Sequence, residues 1–209
     1  MPLSAPAARE PIHTRRVTCQ GYRRADGLWD IEGHLTDIKS YGFDTEERGR
    51  LEPGDPIHQM WMRLTVDDQL TVRAVEAVTD DSPYGACGSI TPAFQTLVGL
   101  RIGAGWTKAV KTRLGGPKGC THLVELLGPL ATTAFQTVFP ILAREAALKA
   151  KAEGRDPRDS SDPPVLLNMC HILASDGDVA RRNWPRHYTG ADRDADGLDS
   201  KEGNRAAAD

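Results

Sequence analysis

Leu28-Trp29-Asp30-Ile31-Glu32-Gly33-His34-Leu35-Thr36-Asp37-Ile38-Lys39 alternates apolar and polar residues with a period of two. Successive side chains of an extended chain point to opposite sides, so this pattern marks a strand with one face on a core and one in water. Trp29, Ile31 and Leu35 set the inner face, and Asp30, Glu32, His34 and Thr36 then look outward. The same parity runs on through Asp37, Lys39 and Tyr41, which places an acid, a base and a phenol on the inner side. Buried charge is costly unless it is paired or used, so these residues are candidates for general acid–base work. The competing reading is a bulge near Gly33 or Gly42 that turns Asp37 and Lys39 outward as ordinary surface charges.

Upstream, residues 1–11 read as a flexible leader, and His13 to Tyr22 reads as a first strand. Arg24-Ala25-Asp26-Gly27 supplies the turn that pairs it with a second strand, Leu28 to Phe43, as a hairpin. Beyond the loop ending in Pro53-Gly54-Asp55-Pro56, a third strand carries Met60, Met62, Leu64 and Val66 on one face, with His58 of the same parity at its mouth. A fourth, Gln69 to Val78, puts Leu70, Val72, Ala74 and Val78 on one face together with Glu76. Thr91-Pro92 opens a helix to about Leu100 in the cap-then-proline order, while Trp106 to Arg113 fits either a helix or an extended segment.

Gly115-Gly116-Pro117-Lys118-Gly119-Cys120-Thr121-His122 then leads into a run with Leu123, Leu127, Leu130, Ala134, Val138 and Ile141 at steps of three and four. That spacing predicts the main helix, Thr121 to Leu142, lying across the sheet and kinked near Pro129, with an exposed end over 143–151. Its first turn holds unpaired N–H groups and the positive end of the macrodipole, beside a thiol, a hydroxyl and an imidazole. The glycine loop is not a Walker loop, since Cys120 stands where the lysine belongs.

The expected fold is therefore α+β: a curved antiparallel sheet of four or more strands with a long helix packed on its concave face. Residues 12–150 form the single domain. Residues 151–185 supply a linker and a short apolar helix, Val165 to Ala174, fit to pack back or to pair two copies as a homodimer, and 186–209 form a disordered tail. The calcium-loop-like Asp192 to Gly197 reads as part of that solvated tail, because Glu202 falls one residue early for a closing ligand.

A net charge of −3 without a basic stripe argues against nucleic acid. Gly128, Pro129 and Pro140 interrupt the longest apolar stretches, which argues against a membrane segment. Met1 to Glu10 lacks an apolar central region, so the expected location is cytoplasmic. Cys19, Cys87, Cys120 and Cys170 are widely spaced and read as reduced thiols. Cys87, Cys120 and His122 are chemically suited to hold zinc, although only one close pair, Cys-x-His, is present.

An arginine pair before Asp26-Gly27-Leu28-Trp29-Asp30-Ile31-Glu32-Gly33, then Leu35-Thr36-Asp37-x-Lys39, Pro56-Ile57-His58-x-Met60, Pro83-Tyr84-x-x-Cys87 and Gly119-Cys120-Thr121-His122-Leu123, resembles the bacterial domain-of-unknown-function family numbered 2889 over about residues 12–145. The resemblance implies a place in the catabolism of lignin-derived aromatics, with γ-formaldehyde lyase activity on phenylcoumaran-type dimers. The expectation is thus a carbon–carbon lyase that needs no cofactor and has a small aromatic compound as its partner. His58 or Asp37 would be the base, and Lys39, Tyr41 or His122 the acid or oxyanion partner, with Trp29, Met60, Met62, Glu76, Cys120 and Thr121 holding substrate. The rivals are a zinc-dependent hydrolase or lyase built on Cys87, Cys120 and His122, and a non-catalytic binder of small aromatic ligands.

Overall fold

The computed structural model describes residues 3–156 and 163–190. It divides into two compact units, Met1–Arg144 and Glu145–Asp209. The first contains an antiparallel sheet in the order β1-β2-β5-β6, built from β1 (His13–Arg23), β2 (Trp29–Lys39), β5 (Pro56–Val66) and β6 (Val72–Asp81). A small hairpin, β3 (Phe43–Thr45) with β4 (Gly49–Leu51), is inserted between β2 and β5. Among the described residues the α-helices are α1 (Trp106–Leu114), α2 (Thr121–Ala152) and α3 (Asp178–Asn183), and Gly85–Leu97 winds as a 3-10 helix. The α+β class with a long helix over an antiparallel sheet is as expected from the sequence.

The period-two pattern of β2 is realised as buried Trp29, Ile31, Leu35 and Asp37 alternating with half-buried Asp30, Glu32, His34 and Thr36. The turn closes where Gly27 takes φ 85° and Arg24 N donates to Leu28 O at 2.9 Å. On β5, Met60, Met62 and Leu64 pair across from Leu35, Gly33 and Ile31 and share the buried face. From above, α2 sets its apolar stripe, Leu123, Leu126, Leu127, Leu130, Ala134 and Val138, into the same core. Two glycines let it come close. A Cβ on Gly33 would lie 3.1 Å from Leu130 Cδ2, and one on Gly21 would collide with the Thr137 side chain. Trp106 fastens α1 to α2 by donating Nε1–H to the carbonyl of Leu127 at 3.2 Å.

Several sequence expectations are corrected. β6 begins at Val72, not Gln69, because Leu70 sits in the turn with φ 60°. A register shift between Thr65 and Val66 then changes the parity, so Val75 is buried while Ala74, Glu76 and Val78 are exposed. The second strand ends at Lys39, and Tyr41 lies in a bend, 43% exposed. The helix expected over 92–100 is the 3-10 stretch Gly85–Leu97, with Pro92 inside it, and Trp106–Leu114 resolves as α-helix.

α2 runs as one 32-residue element through Gly128, Pro129 and Pro140. It is long and apolar enough to cross a membrane by length and composition, contrary to the interruption argued from the sequence. In the second unit, Val165 to Ala174 forms turns and a single 3-10 turn, His171–Leu173, in place of a helix, since Asn168 takes φ 63°. Part of the expected tail is ordered: Pro185–His187 is a 3-10 turn. Residues 191–209, with the calcium-like stretch, lie outside the described residues, as do 1–2 and 157–162.

Candidate functional site

The site is assembled on one rung of the sheet. Asp37 of β2 pairs with Arg15 of β1 on one side and with His58 of β5 on the other, and all three point to the helix-covered face. A register shift between Asp37 and Ile38 makes this the last rung of β2 and β5 before the bulge. Asp37 is 1% exposed. A carboxylate at that depth survives only with donors on both oxygens, and it has them. Arg15 donates through Nε to Oδ1 and through a terminal guanidinium nitrogen to Oδ2, both at 2.8 Å, in the bidentate fork that suits a planar carboxylate. His13 Nε2 adds a bond to Oδ1 and His58 Nδ1 one to Oδ2, each 3.1 Å.

His122, in the first turn of α2, completes the cluster from above. Its Nε2 faces Oδ2 of Asp37 at 3.9 Å, and its Nδ1 lies 3.9 Å from Cys120 Sγ. The rings of His58 and His122 lie 3.7 Å apart between centroids, tilted by 30°. Arg15 also bridges to Glu125 one turn further along α2, which ties the edge strand to the helix.

Three shifts of proton affinity follow. Burial pushes the Asp37 carboxyl up, but the Arg15 hydrogen bonds and charge, with help from His13 and His58, bring it below the usual carboxylate range. His58 is lowered, first by burial and then by the neighbouring His122, against the pull of Asp37. His122 is lowered by burial and by Arg15. The result is a fixed negative charge under two imidazoles that favour their neutral forms. The His58 tautomer that bonds Asp37 carries its hydrogen on Nδ1, which leaves the Nε2 lone pair available as a base.

Among the described residues, one group brings three metal-ligating atoms within 4.8 Å of one another: Asp37, His58 and His122. Cys87 and Cys120 are not members, so the Cys87, Cys120 and His122 set is not gathered as a ligand group. The ring geometry does not favour a shared ion. Two imidazoles binding one ion through nitrogens at about 2.0–2.1 Å keep their centres roughly 4.5–5 Å apart, whereas these tilted rings lie 3.7 Å apart. Both oxygens of Asp37 are in addition occupied by donors.

The structure thus brings together Asp37, His58, His122 and Cys120, and disperses the other candidates. Lys39 sets its ammonium over the rings of Tyr41 and Phe43, 5.1 and 5.8 Å from their centroids. Trp29, Met60 and Met62 are closed into the core, with Trp29 Nε1 donating to Asp68 at 2.9 Å. Glu76 lies on the outer face, paired with Arg63 at 2.8 Å, because of the bulge that precedes it. Thr121 is exposed at the start of α2. Sequence reasoning missed His13, Arg15 and Glu125. A hairpin centred on Asp26 pairs residues at equal steps on either side, which puts Arg15 opposite Asp37, so that partner was derivable from the turn.

A family model described as "Protein of unknown function (DUF2889)" matches residues 13–136. Those residues span the whole of the four-stranded sheet and the part of α2 that bears His122 and Glu125. No curated protein and no solved structure matches the chain.

Proposed function

Because the chain belongs to the DUF2889 family, whose description assigns no activity, we propose its function from the site itself: a carbon–carbon lyase that works by proton transfer, without a cofactor, on a small lignin-derived aromatic dimer. The observation that carries the reading is the buried Asp37 carboxylate, fixed by Arg15, which orients His58 through Nδ1 under the ring of His122. Two near-neutral imidazoles in contact are suited to take one proton and return one, since their close approach disfavours charging both. Asp37 acts as orienting charge and not as base, because its oxygens are committed to Arg15, His13 and His58.

The chemistry needs no more than this. Nε2 of His58 takes the proton of a primary alcohol beside a benzylic ether, and the C–C bond breaks to release formaldehyde. The freed electron pair forms a carbon–carbon double bond and expels the phenolate. The proton taken by His58 is passed to the departing phenolate oxygen through the His122 ring in contact with it, so both imidazoles end neutral, as they began. The test is release of formaldehyde from phenylcoumaran-type dimers by the purified protein. Turnover by the native chain, lost on His58→Ala, supports the reading. Absence of formaldehyde with every dimer, or full turnover by the variant, rejects it.

A further inference from the structure

We infer that Cys120 is a nucleophile toward carbonyl carbon and holds a small aldehyde as a covalent hemithioacetal. Three groups lie in sequence: the Cys120 thiol, 3.9 Å from Nδ1 of His122, and beyond the same ring Nε2, 3.9 Å from the buried Asp37 carboxylate. That is the order nucleophile, base, orienting charge, in which the imidazole withdraws the thiol proton while the carboxylate stabilises the imidazolium formed. Cys120 stands immediately before α2, its carbonyl accepting the first helical bond from Val124 at 2.9 Å, so the sulfur lies beside the positive end of a 32-residue helix. The neighbouring first-turn N–H groups, unpaired within the helix, are placed to receive an oxyanion.

The other thiols are differently placed. Burial raises the Cys19 thiol, opposed by its hydrogen bond with Thr133, and Cys170 is exposed. Among the described residues, no imidazole is hydrogen-bonded to Cys19, Cys87 or Cys170.

The choice of an aldehyde follows from proton balance. The Cys120 sulfur attacks the carbonyl carbon, the C–O π pair moves onto oxygen, and the proton that His122 took from the thiol is delivered there. Nothing leaves, nothing is oxidised and no second reactant is required. An acyl substrate would in addition need a leaving group to be protonated and a water to be activated. The origin of the aldehyde rests on the lyase reading above, in which formaldehyde is released beside this thiol.

The test uses the full chain alone, without any aromatic dimer, so its outcome is independent of the lyase assay. Iodoacetamide labelling followed by peptide mass mapping compares the four cysteines in one sample at pH 7. Cys120 is expected to react about tenfold faster than the exposed Cys170, as a base-activated thiol does, and His122→Gln is expected to remove that advantage. Carbon-13 formaldehyde is then expected to give a sulfur-bound hydroxymethyl signal that is absent from Cys120→Ser. Reaction of Cys120 no faster than Cys170 in the native chain would overturn the inference with no variant needed. So would a formaldehyde adduct unchanged in Cys120→Ser.

Discussion

Removing the Arg15 guanidinium by Arg15→Ala takes two 2.8 Å hydrogen bonds from a carboxylate that is 1% exposed, leaving His13 and His58 as its donors. A hydrogen bond to a charged group contributes about 1.5–3 kcal/mol. The Arg15 side chain is 34% exposed, so solvent screening returns part of that sum and the expected cost is about 3 kcal/mol at neutral pH. For a chain of this size that is a fall in Tm of roughly 6–12 °C. The pH dependence identifies the cause. Asp37 is lowered in the folded state chiefly because the Arg15 bonds outweigh burial, so its contribution is present above the ordinary carboxyl value of 3.8 and lost as pH falls through the folded value. Without Arg15, burial is opposed less and the carboxyl titrates higher, so the gap between native and variant should close on acidification. Urea unfolding of Arg15→Ala, Asp37→Asn and the double variant at pH 7 and pH 4 measures both points. An equal loss at both pH values, or a coupling below about 0.5 kcal/mol at pH 7, would refute the ion-pair account and assign the cost to lost packing of the arginine stem.

Substitution of His58 or His122 by alanine should lower turnover by about 10²–10⁴, as expected for loss of a general base or acid, with a much smaller change in melting temperature; steady-state formaldehyde release alongside calorimetry checks both. Both imidazoles are lowered from 6.5, so the unfolded chain takes up protons first, and stability should decline as pH drops below 6.5 through the folded values; His58→Gln should flatten that slope in a pH series of thermal melts. Gly21→Ala should destabilise the fold by about 1–3 kcal/mol through overpacking, since its Cβ would meet the Thr137 side chain, while Gly88→Ala, with open space around it, serves as the near-neutral control in the same denaturant titration.

What the sequence revealed of this site, and what it withheld, follows from the range of the interactions. The alternation from Trp29 to Asp37 is local and was legible, because one strand's own period decides which side chains are buried. The Leu123 to Val138 stripe was legible for the same reason. Glu76 was misplaced because one bulge, invisible in composition, moves every later side chain of β6 to the other face. Tyr41 was misplaced because the strand ends two residues before it. Trp29, Met60 and Met62 were on the expected face but belong to the closed core, and parity alone does not distinguish a core from a pocket. Arg15 is the instructive omission. An edge-strand arginine looks like a solvated charge until the hairpin register sets it against a buried acid. His13 and Glu125 depend on side-chain reach across elements, which no spacing rule encodes.

The central claim is that Asp37 fixes His58 with its hydrogen on Nδ1 and a neutral ring. Nitrogen-15 correlation spectra of the histidine side chains, recorded from pH 5 to pH 8, read tautomer and titration together. The account predicts an Nδ1–H tautomer for His58 at pH 7, titrating below 6.5, with the tautomer preference lost in Asp37→Asn. An Nε2–H tautomer, a titration above 6.5, or a spectrum indifferent to Asp37 would contradict it.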